Sequence, residues 1–358
     1  MQLAREPKVI QLAKDLGLNW RGDCLSTIRD FALAEVERVV DDSPIPVDSL
    51  DSLRRVLANK FRMKLEVIRE DADIERIAAE YPEFHPGLRA RLNREFLQLD
   101  TEGITLERDQ WDERLFQYLA VVDARGARAA RVYFTSWHEV THLILHPAQL
   151  RFPGFRRTPA RAERDKDPFE SVIDHVAGKI AFHPRFFRPA IEQALVAHGL
   201  TFEALDAARE FAAPTASLFA TAMGSLAYFN VPTLLVTAEL SLKAAERRLV
   251  SSPQATFDFA APQIDEKLRV CTCVPNDLVL PSGLAIRRNM RVPAQSVLAQ
   301  VHESTIDVTL EAQENQEWWE TSRDGALDPL PLRVLAARKG RFVYGLVSVA
   351  SKFAGVKS

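Results

Sequence analysis

Apolar and polar positions in the first half of the chain switch repeatedly between helical and strand spacing. Residues 28–40 place apolar side chains at helical spacing, and a second amphipathic helix is expected to end near Lys60. Residues 63–70 alternate apolar and polar side chains, as in a half-buried strand, and a short helix is expected over 74–81. The order of these elements predicts an α+β fold.

The next segment combines a hairpin pattern with a strongly helical one. Residues 96–109 are typical of a hairpin, with its turn at Thr101, Glu102 and Gly103. A helix is predicted to start near Phe134, with Thr135 or Ser136 as its cap.

The second half of the chain changes character twice. Residues 151–167 are rich in arginine, proline and glycine, which indicates a loop, and a helix is expected over 168–182. Three or more helices are expected within 186–250. Short strand-like runs follow from about residue 254, and they include 284–292 and 296–304. We therefore predict three parts: a domain over 1–184, a helical segment over 185–252 and a mostly β domain over 253–358.

Composition narrows the classes of partner. The 358 residues include 46 Lys and Arg against 49 Asp and Glu, so the formal charge of −3 gives no global attraction to nucleic acid or to an anionic membrane. The start of the chain lacks the apolar core of a signal peptide. The uncharged stretch over 211–238 is interrupted by Pro214, Asn230 and Pro232, which favours a buried helical core over a membrane span. Three cysteines are too few for a disulfide framework, so a cytoplasmic protein is expected.

The chemistry is concentrated in the H-E-x-x-H motif over 138–142. Residues four apart on a helix differ by about 40° in azimuth, so His138 and His142 project from one face and can reach one metal ion. Glu139 lies about 100° round the helix from His138, where it suits a general base better than a ligand. The alternative is an amphipathic helix that carries two solvent-facing histidines.

A catalytic zinc needs a third protein ligand, and the next helix offers one. Glu170 and Asp174 lie one turn apart on it. Asp174 could hold a ligand histidine in the required tautomer or be a solvated or capping carboxylate. His146 fits a structural histidine better than a fourth ligand, which would close the open coordination position.

These two helices resemble the ImmA/IrrE family of zinc metallopeptidases. The family pairs a histidine helix, commonly HELGH, with a helix of the form ExxAN, and the matching residues here are 138–146 and 170–184. The resemblance implies a zincin-like domain in which zinc is bound by His138, His142 and Glu170, with Glu139 as the catalytic base. It also implies a protein substrate, such as a transcriptional repressor in a stress or mobile-element response. Asp174 departs from the family pattern because it replaces the usual Asn.

The sequence also allows a second function, and two weaker motifs predict further features. A non-proteolytic regulator could keep a structural metal site and act by binding protein or DNA. The helices after 186 are helix-turn-helix-like, but residues 215–223 contain no Lys or Arg, so direct binding of nucleic acid is not expected. Cys271 and Cys273 are expected to pack in a core, because strand alternation places both on one side.

Overall fold

Two of the three N-terminal helices form where apolar periodicity predicts them. A computed structural model of the chain describes residues 3–98, 101–108, 112, 114–145, 155–157, 167–243, 246, 265–321, 325–339 and 342–350. Helices α1 (Pro7–Asp15), α2 (Cys24–Asp41) and α3 (Leu50–Lys60) come first. The Asp23 side chain caps α2 by accepting a hydrogen bond from the backbone of Leu25, and Ser49 forms a capping box with Ser52 at α3.

The first sheet lies between two layers of helices. Its elements, in chain order, are β1 (Met63–Ile68), α4 (Asp71–Glu80), α5 (Leu88–Asn93), β2 (Thr101–Glu107), β3 (Tyr118–Asp123), α6 (Val132–Ile144) and β4 (Phe155–Arg157). The strand order is β1-β3-β2-β4, with β1 parallel to β3 and β2 antiparallel to both of its neighbours. Ile104 and Leu106 of β2 point into a core shared with α4 and α5. The other face of β2 contacts α6.

Two local predictions in this region are wrong. Thr101, Glu102 and Gly103 do not form a turn, because they lie in β2, where Gly103 pairs with Val122 of β3. Neither Thr135 nor Ser136 caps α6, which begins earlier, at Val132. Ser136 instead donates a hydrogen bond to the carbonyl of Val132 within the helix, and Thr135 is buried against β2.

Helix α7 (Pro168–Ile180) packs against α6 and completes the frame of the candidate site. Asp167 caps it by accepting a hydrogen bond from the backbone of Phe169, and Pro168 occupies its first turn, where no backbone donor is needed. The Tyr133 hydroxyl donates to the carbonyl of Ala181, which ties the start of α6 to the end of α7. These contacts fix the relative position of the two helices that carry the motif residues.

The remaining elements are helices followed by a second sheet. They are α8 (Pro184–His198), α9 (Phe202–Ala212), α10 (Leu218–Ser225), β5 (Thr233–Ser241), β6 (Lys267–Pro275), α11 (Val297–Glu303), β7 (Thr309–Asn315), β8 (Glu320–Thr321), β9 (Gly325–Ala326), β10 (Pro331–Lys339) and β11 (Phe342–Val349). The second sheet has the order β6-β5-β11-β10-β7 and is antiparallel throughout. Helix α11 packs on it, with Leu298 against the position of Gly345.

Three expectations in the second half of the chain are wrong. Residues 296–304 contain helix α11 rather than a strand, because Ser296 caps it and Glu314 accepts hydrogen bonds from Ser296 and Val297. Residues 284–292 form no strand apart from a single bridge at Arg291. The uncharged stretch that was expected to be helical contains β5, an inner strand of the second sheet. Leu234, Val236 and Ala238 of this strand belong to the core of the second sheet, and Leu235 is fully buried as well.

The chain divides into two compact units. One consists of Met1–Ala194 and Leu205–Gly224, and the other of Leu195–Ala204 and Ser225–Ser358. Whether residues 185–252 form a domain of their own stays a prediction. Among the residues described, no helix combines the length and apolar character needed to cross a membrane.

Candidate metal centre

The two motif histidines present the same ring nitrogen to one point. His138 and His142 lie one turn apart on α6, and their Nε2 atoms are 3.1 Å from each other. Both side chains are buried, with exposed fractions of 1% for His138 and 6% for His142. The reading of two solvent-facing histidines on an amphipathic helix is therefore wrong.

Helix α7 brings a carboxylate to the histidine pair. Glu170 Oε2 is 3.1 Å from His138 Nε2, and Glu170 Oε1 is 3.7 Å from His142 Nε2. The Glu170 side chain is 23% exposed, so this is the side of the group nearest to solvent. Within the described part of the chain, His138, His142 and Glu170 are the one group of His, Cys, Asp or Glu residues that could hold a metal ion.

The separations within this group fit a tetrahedral zinc site. Two ligand atoms held about 2.0–2.1 Å from one zinc ion at a tetrahedral angle lie about 3.3 Å apart. The two Nε2 atoms are 3.1 Å apart and Glu170 Oε2 is 3.1 Å from His138 Nε2, both close to that value, while the other Glu170 oxygen is 3.7 Å from His142 Nε2. Two imidazoles and one carboxylate are also a donor set that zinc accepts, and three protein ligands leave one position open for water or substrate.

Asp174 contacts the ring of His138 on the side opposite the ligand nitrogen. Its Oδ1 atom lies 2.9 Å from His138 Nδ1. A carboxylate at that nitrogen accepts its proton, so the tautomer that it favours leaves the lone pair of Nε2 directed toward the group of three. Asp174 is placed where it can orient this histidine, and the sequence proposal of that role stays a prediction.

Glu139 is fully buried and points toward strand β2 rather than away from the fold. Its Oε2 atom accepts a hydrogen bond of 2.6 Å from the hydroxyl of Thr105. Its Oε1 atom lies beside Gly103, where an added Cβ would come within 2.9 Å of it. The carboxylate of Glu139, the residue that follows His138, is thus held against strand β2.

Sequence reasoning missed Thr105 and Gly103. The available signal was the alternation along 101–106, in which Ile104 and Leu106 face one core and the small or polar residues face the other side. Because Gly103 was assigned to a turn, this alternation was not used.

The other sequence candidates lie apart from this group or outside the described residues. His146 and residues 151–154 and 158–166 of the arginine-rich segment are not among the described residues, and the loop prediction is wrong for residues 155–157, which form strand β4. Cys271 and Cys273 are on β6, but a bulge at Cys271 breaks the expected alternation between them. Cys273 packs against the core of the second sheet, whereas Cys271 lies beside Glu239. Burial raises the pKa of both thiols to about 11, which keeps them protonated at neutral pH.

Comparisons with known proteins include a distant structural likeness. No protein-family model matches the chain, and no curated protein matches it. A solved structure of a Mycobacterium tuberculosis transcriptional regulator is similar over 98% of this chain and 82% of its own, with 10% identity and a TM-score of 0.41. A likeness at that TM-score carries no argument about the function of this chain.

Proposed function

We propose that this chain is a zinc-dependent endopeptidase. The observation that carries the proposal is the convergence of His138, His142 and Glu170 from two helices, one residue away from the buried carboxylate of Glu139. A structural zinc site uses a fourth protein ligand, whereas a catalytic site keeps three ligands and needs a base nearby. Among the described residues the group has three members, and Glu139 follows His138 directly, which supports the second case.

Each residue has a distinct task in this proposal. His138, His142 and Glu170 hold the ion, and Asp174 orients His138 through its Nδ1–H. Zinc, when bound, supplies a Lewis acid that polarises a peptide carbonyl and lowers the pKa of water toward about 7. Glu139 takes a proton from the attacking water and passes it to the nitrogen of the leaving amine, so that the peptide bond is replaced by an acid and an amine.

The resemblance to the ImmA/IrrE family suggests the substrate class. Members of that family act on specific proteins, and we propose a protein substrate of this kind, such as a transcriptional repressor. Direct binding of nucleic acid is not part of the proposal, because α10 carries no Lys or Arg.

The test combines metal content with a search for cleavage. Purified protein loaded with zinc is assayed for bound metal and then incubated with a proteome-derived peptide library, in which new termini are identified by mass spectrometry. Wild type is expected to bind about one zinc ion and to produce new termini. Glu139→Gln is expected to keep the zinc and to lose the cleavage, because an amide cannot accept the proton.

Glu95→Gln is the matched control. Glu95 is also a buried glutamate that accepts a hydrogen bond from a threonine of β2, but it lies outside the group of three. The Glu95→Gln protein should cleave the peptides as wild type does. Cleavage by Glu139→Gln at the wild-type rate would refute the base assignment. Bound zinc without cleavage by any form of the protein would favour a non-proteolytic regulator.

A further inference from the structure

Strand β2 lies beside both oxygens of the Glu139 carboxylate. The Thr105 hydroxyl donates to Oε2 at 2.6 Å, and both side chains are buried, with Thr105 at 5% exposure. Gly103, two residues earlier on the same face of the strand, leaves the space beside Oε1 open. A Cβ at position 103 would lie 2.9 Å from Oε1 and 2.7 Å from Cγ2 of Thr135, both closer than real side chains allow.

These contacts restrict the torsions of a long side chain. A glutamate has three side-chain torsions, and catalysis by a base needs its oxygen within hydrogen-bond distance of the proton that it takes. The hydroxyl of Thr105 fixes one oxygen of Glu139 by a hydrogen bond, and this donor belongs to an inner strand of the sheet. The strand therefore holds the carboxylate of Glu139 in one position.

We propose that Thr105 is a positioning residue for Glu139 and that Gly103 is required for the same placement. This inference rests on the proposed function, because it concerns the base of that reaction. Thr105 acts through Glu139, so its removal should impair the task of Glu139 while the zinc ligands on α6 and α7 remain in place.

The same strand provides a matched control. Thr101 is also buried, and its hydroxyl donates to Glu95 Oε2 at 3.2 Å. Thr101→Val and Thr105→Val thus remove the same atom from one strand, and each leaves a buried glutamate without its threonine donor. Only the second change concerns Glu139.

Acetohydroxamate serves as a probe that requires no knowledge of the substrate. It chelates zinc through two oxygens, and its hydroxyl proton needs an acceptor beside the metal. Its affinity for the zinc-loaded full-length chain is measured by calorimetry, and zinc affinity is measured separately by competition with a chromophoric chelator. Glu139→Gln provides the reference for a missing base, because its amide can accept a hydrogen bond but cannot take up the proton.

The expected results separate positioning from general damage. Thr105→Val should weaken acetohydroxamate binding about tenfold, since the hydrogen bond that positions Glu139 is lost. Gly103→Ala should weaken it as well, although the hydroxyl of Thr105 remains. Thr105→Ser should restore wild-type affinity, and Thr101→Val should match wild type. Zinc affinity should be unchanged in all four variants.

Other outcomes overturn specific statements. If Glu139→Gln weakens the probe and Thr105→Val does not, Thr105 does not position the base, and the proposed function is untouched. If Glu139→Gln binds the probe as wild type does, the base assignment itself fails. If Thr105→Val loses zinc as well as the probe, or if Thr105→Ser fails to restore binding, Thr105 is a structural residue only.

Discussion

At the scale of single residues, the site depends on which ring nitrogen of His138 carries a proton. Asp174 lies 2.9 Å from Nδ1, and Glu170 lies 3.1 Å from Nε2, so the two carboxylates of α7 contact opposite nitrogens of one ring. An ion can replace the contact with Glu170 only if Nε2 keeps its lone pair. Asp174 favours that state by accepting a hydrogen bond from Nδ1–H.

We expect Asp174→Ala to weaken zinc binding about 10- to 100-fold, the usual cost of removing a group that orients a metal ligand. Asp174→Asn should have a smaller effect, because the oxygen of its amide can still accept a hydrogen bond from Nδ1–H. The measurement is zinc competition with a chromophoric chelator at pH 7.5. Asp206→Ala, which removes an ion-pair partner of Arg209 on α9, is the control. Wild-type zinc affinity in Asp174→Ala would exclude this role.

At the scale of elements, the fold was most predictable where the pattern is local. The spacing of His138 and His142, and of Glu170 and Asp174, follows from helical geometry alone, and the structure places each pair on one helix. The side chains on β2 could not be assigned in the same way. Whether Gly103 lies in a turn or a strand depends on its pairing with Val122, and its contact with Glu139 depends on how α6 packs.

Two glycines in helices allow the packing of elements to be tested with one kind of substitution. At Gly224 of α10, an added Cβ would come within 2.4 Å of Cγ of Phe182, whose ring packs against Tyr133 and Phe187. At Gly178 of α7, the nearest atom to an added Cβ is a carbon of Phe134 at 3.8 Å, an ordinary contact. The first position is closed to a methyl group and the second is open.

Gly224→Ala should therefore lower the free energy of unfolding by about 1–3 kcal/mol, the usual cost of overpacking a core. Gly178→Ala should raise it by about 0.5–1 kcal/mol, because alanine loses less backbone entropy in a helix. Urea unfolding followed by circular dichroism measures both. Equal effects of the two changes would show that Phe182 adjusts to the added methyl group.

At the scale of the whole molecule, net charge explains little about stability. A formal charge of −3 over 358 residues produces little self-repulsion near neutral pH. The dependence of stability on pH must then come from particular buried groups. Asp123 is one of them: burial raises the pKa of its carboxyl, but hydrogen bonds from Arg125 and the charges of Arg125 and Arg128 hold that pKa below its ordinary value of 3.8. Its stabilising effect is lost only in strong acid.

The titration of His183 changes the stability of the fold nearer to neutral pH. It is 2% exposed, and burial lowers its pKa; the charge of Glu37 opposes this shift, and that of Arg185 adds to it. Burial likewise lowers the pKa of His175 on α7, with Lys179 and Arg29 acting in the same direction and Asp23 against it. A histidine whose folded pKa is lowered takes up its proton more readily in the unfolded chain. Its contribution to stability is complete above the unfolded value of about 6.5 and falls as the pH drops below it.

We expect the metal-free protein to lose stability between pH 7.5 and pH 5.5, and we expect His183→Gln to lose less than wild type over the same interval. Glutamine keeps polar atoms at this position but takes up no proton in this range. The measurement is the urea midpoint of both proteins at both pH values, without metal, so that the state of a bound ion does not enter the comparison. Because every other titratable side chain is common to both proteins, the difference isolates His183. An equal loss in both proteins would mean that burial of this imidazole does not set the acid response.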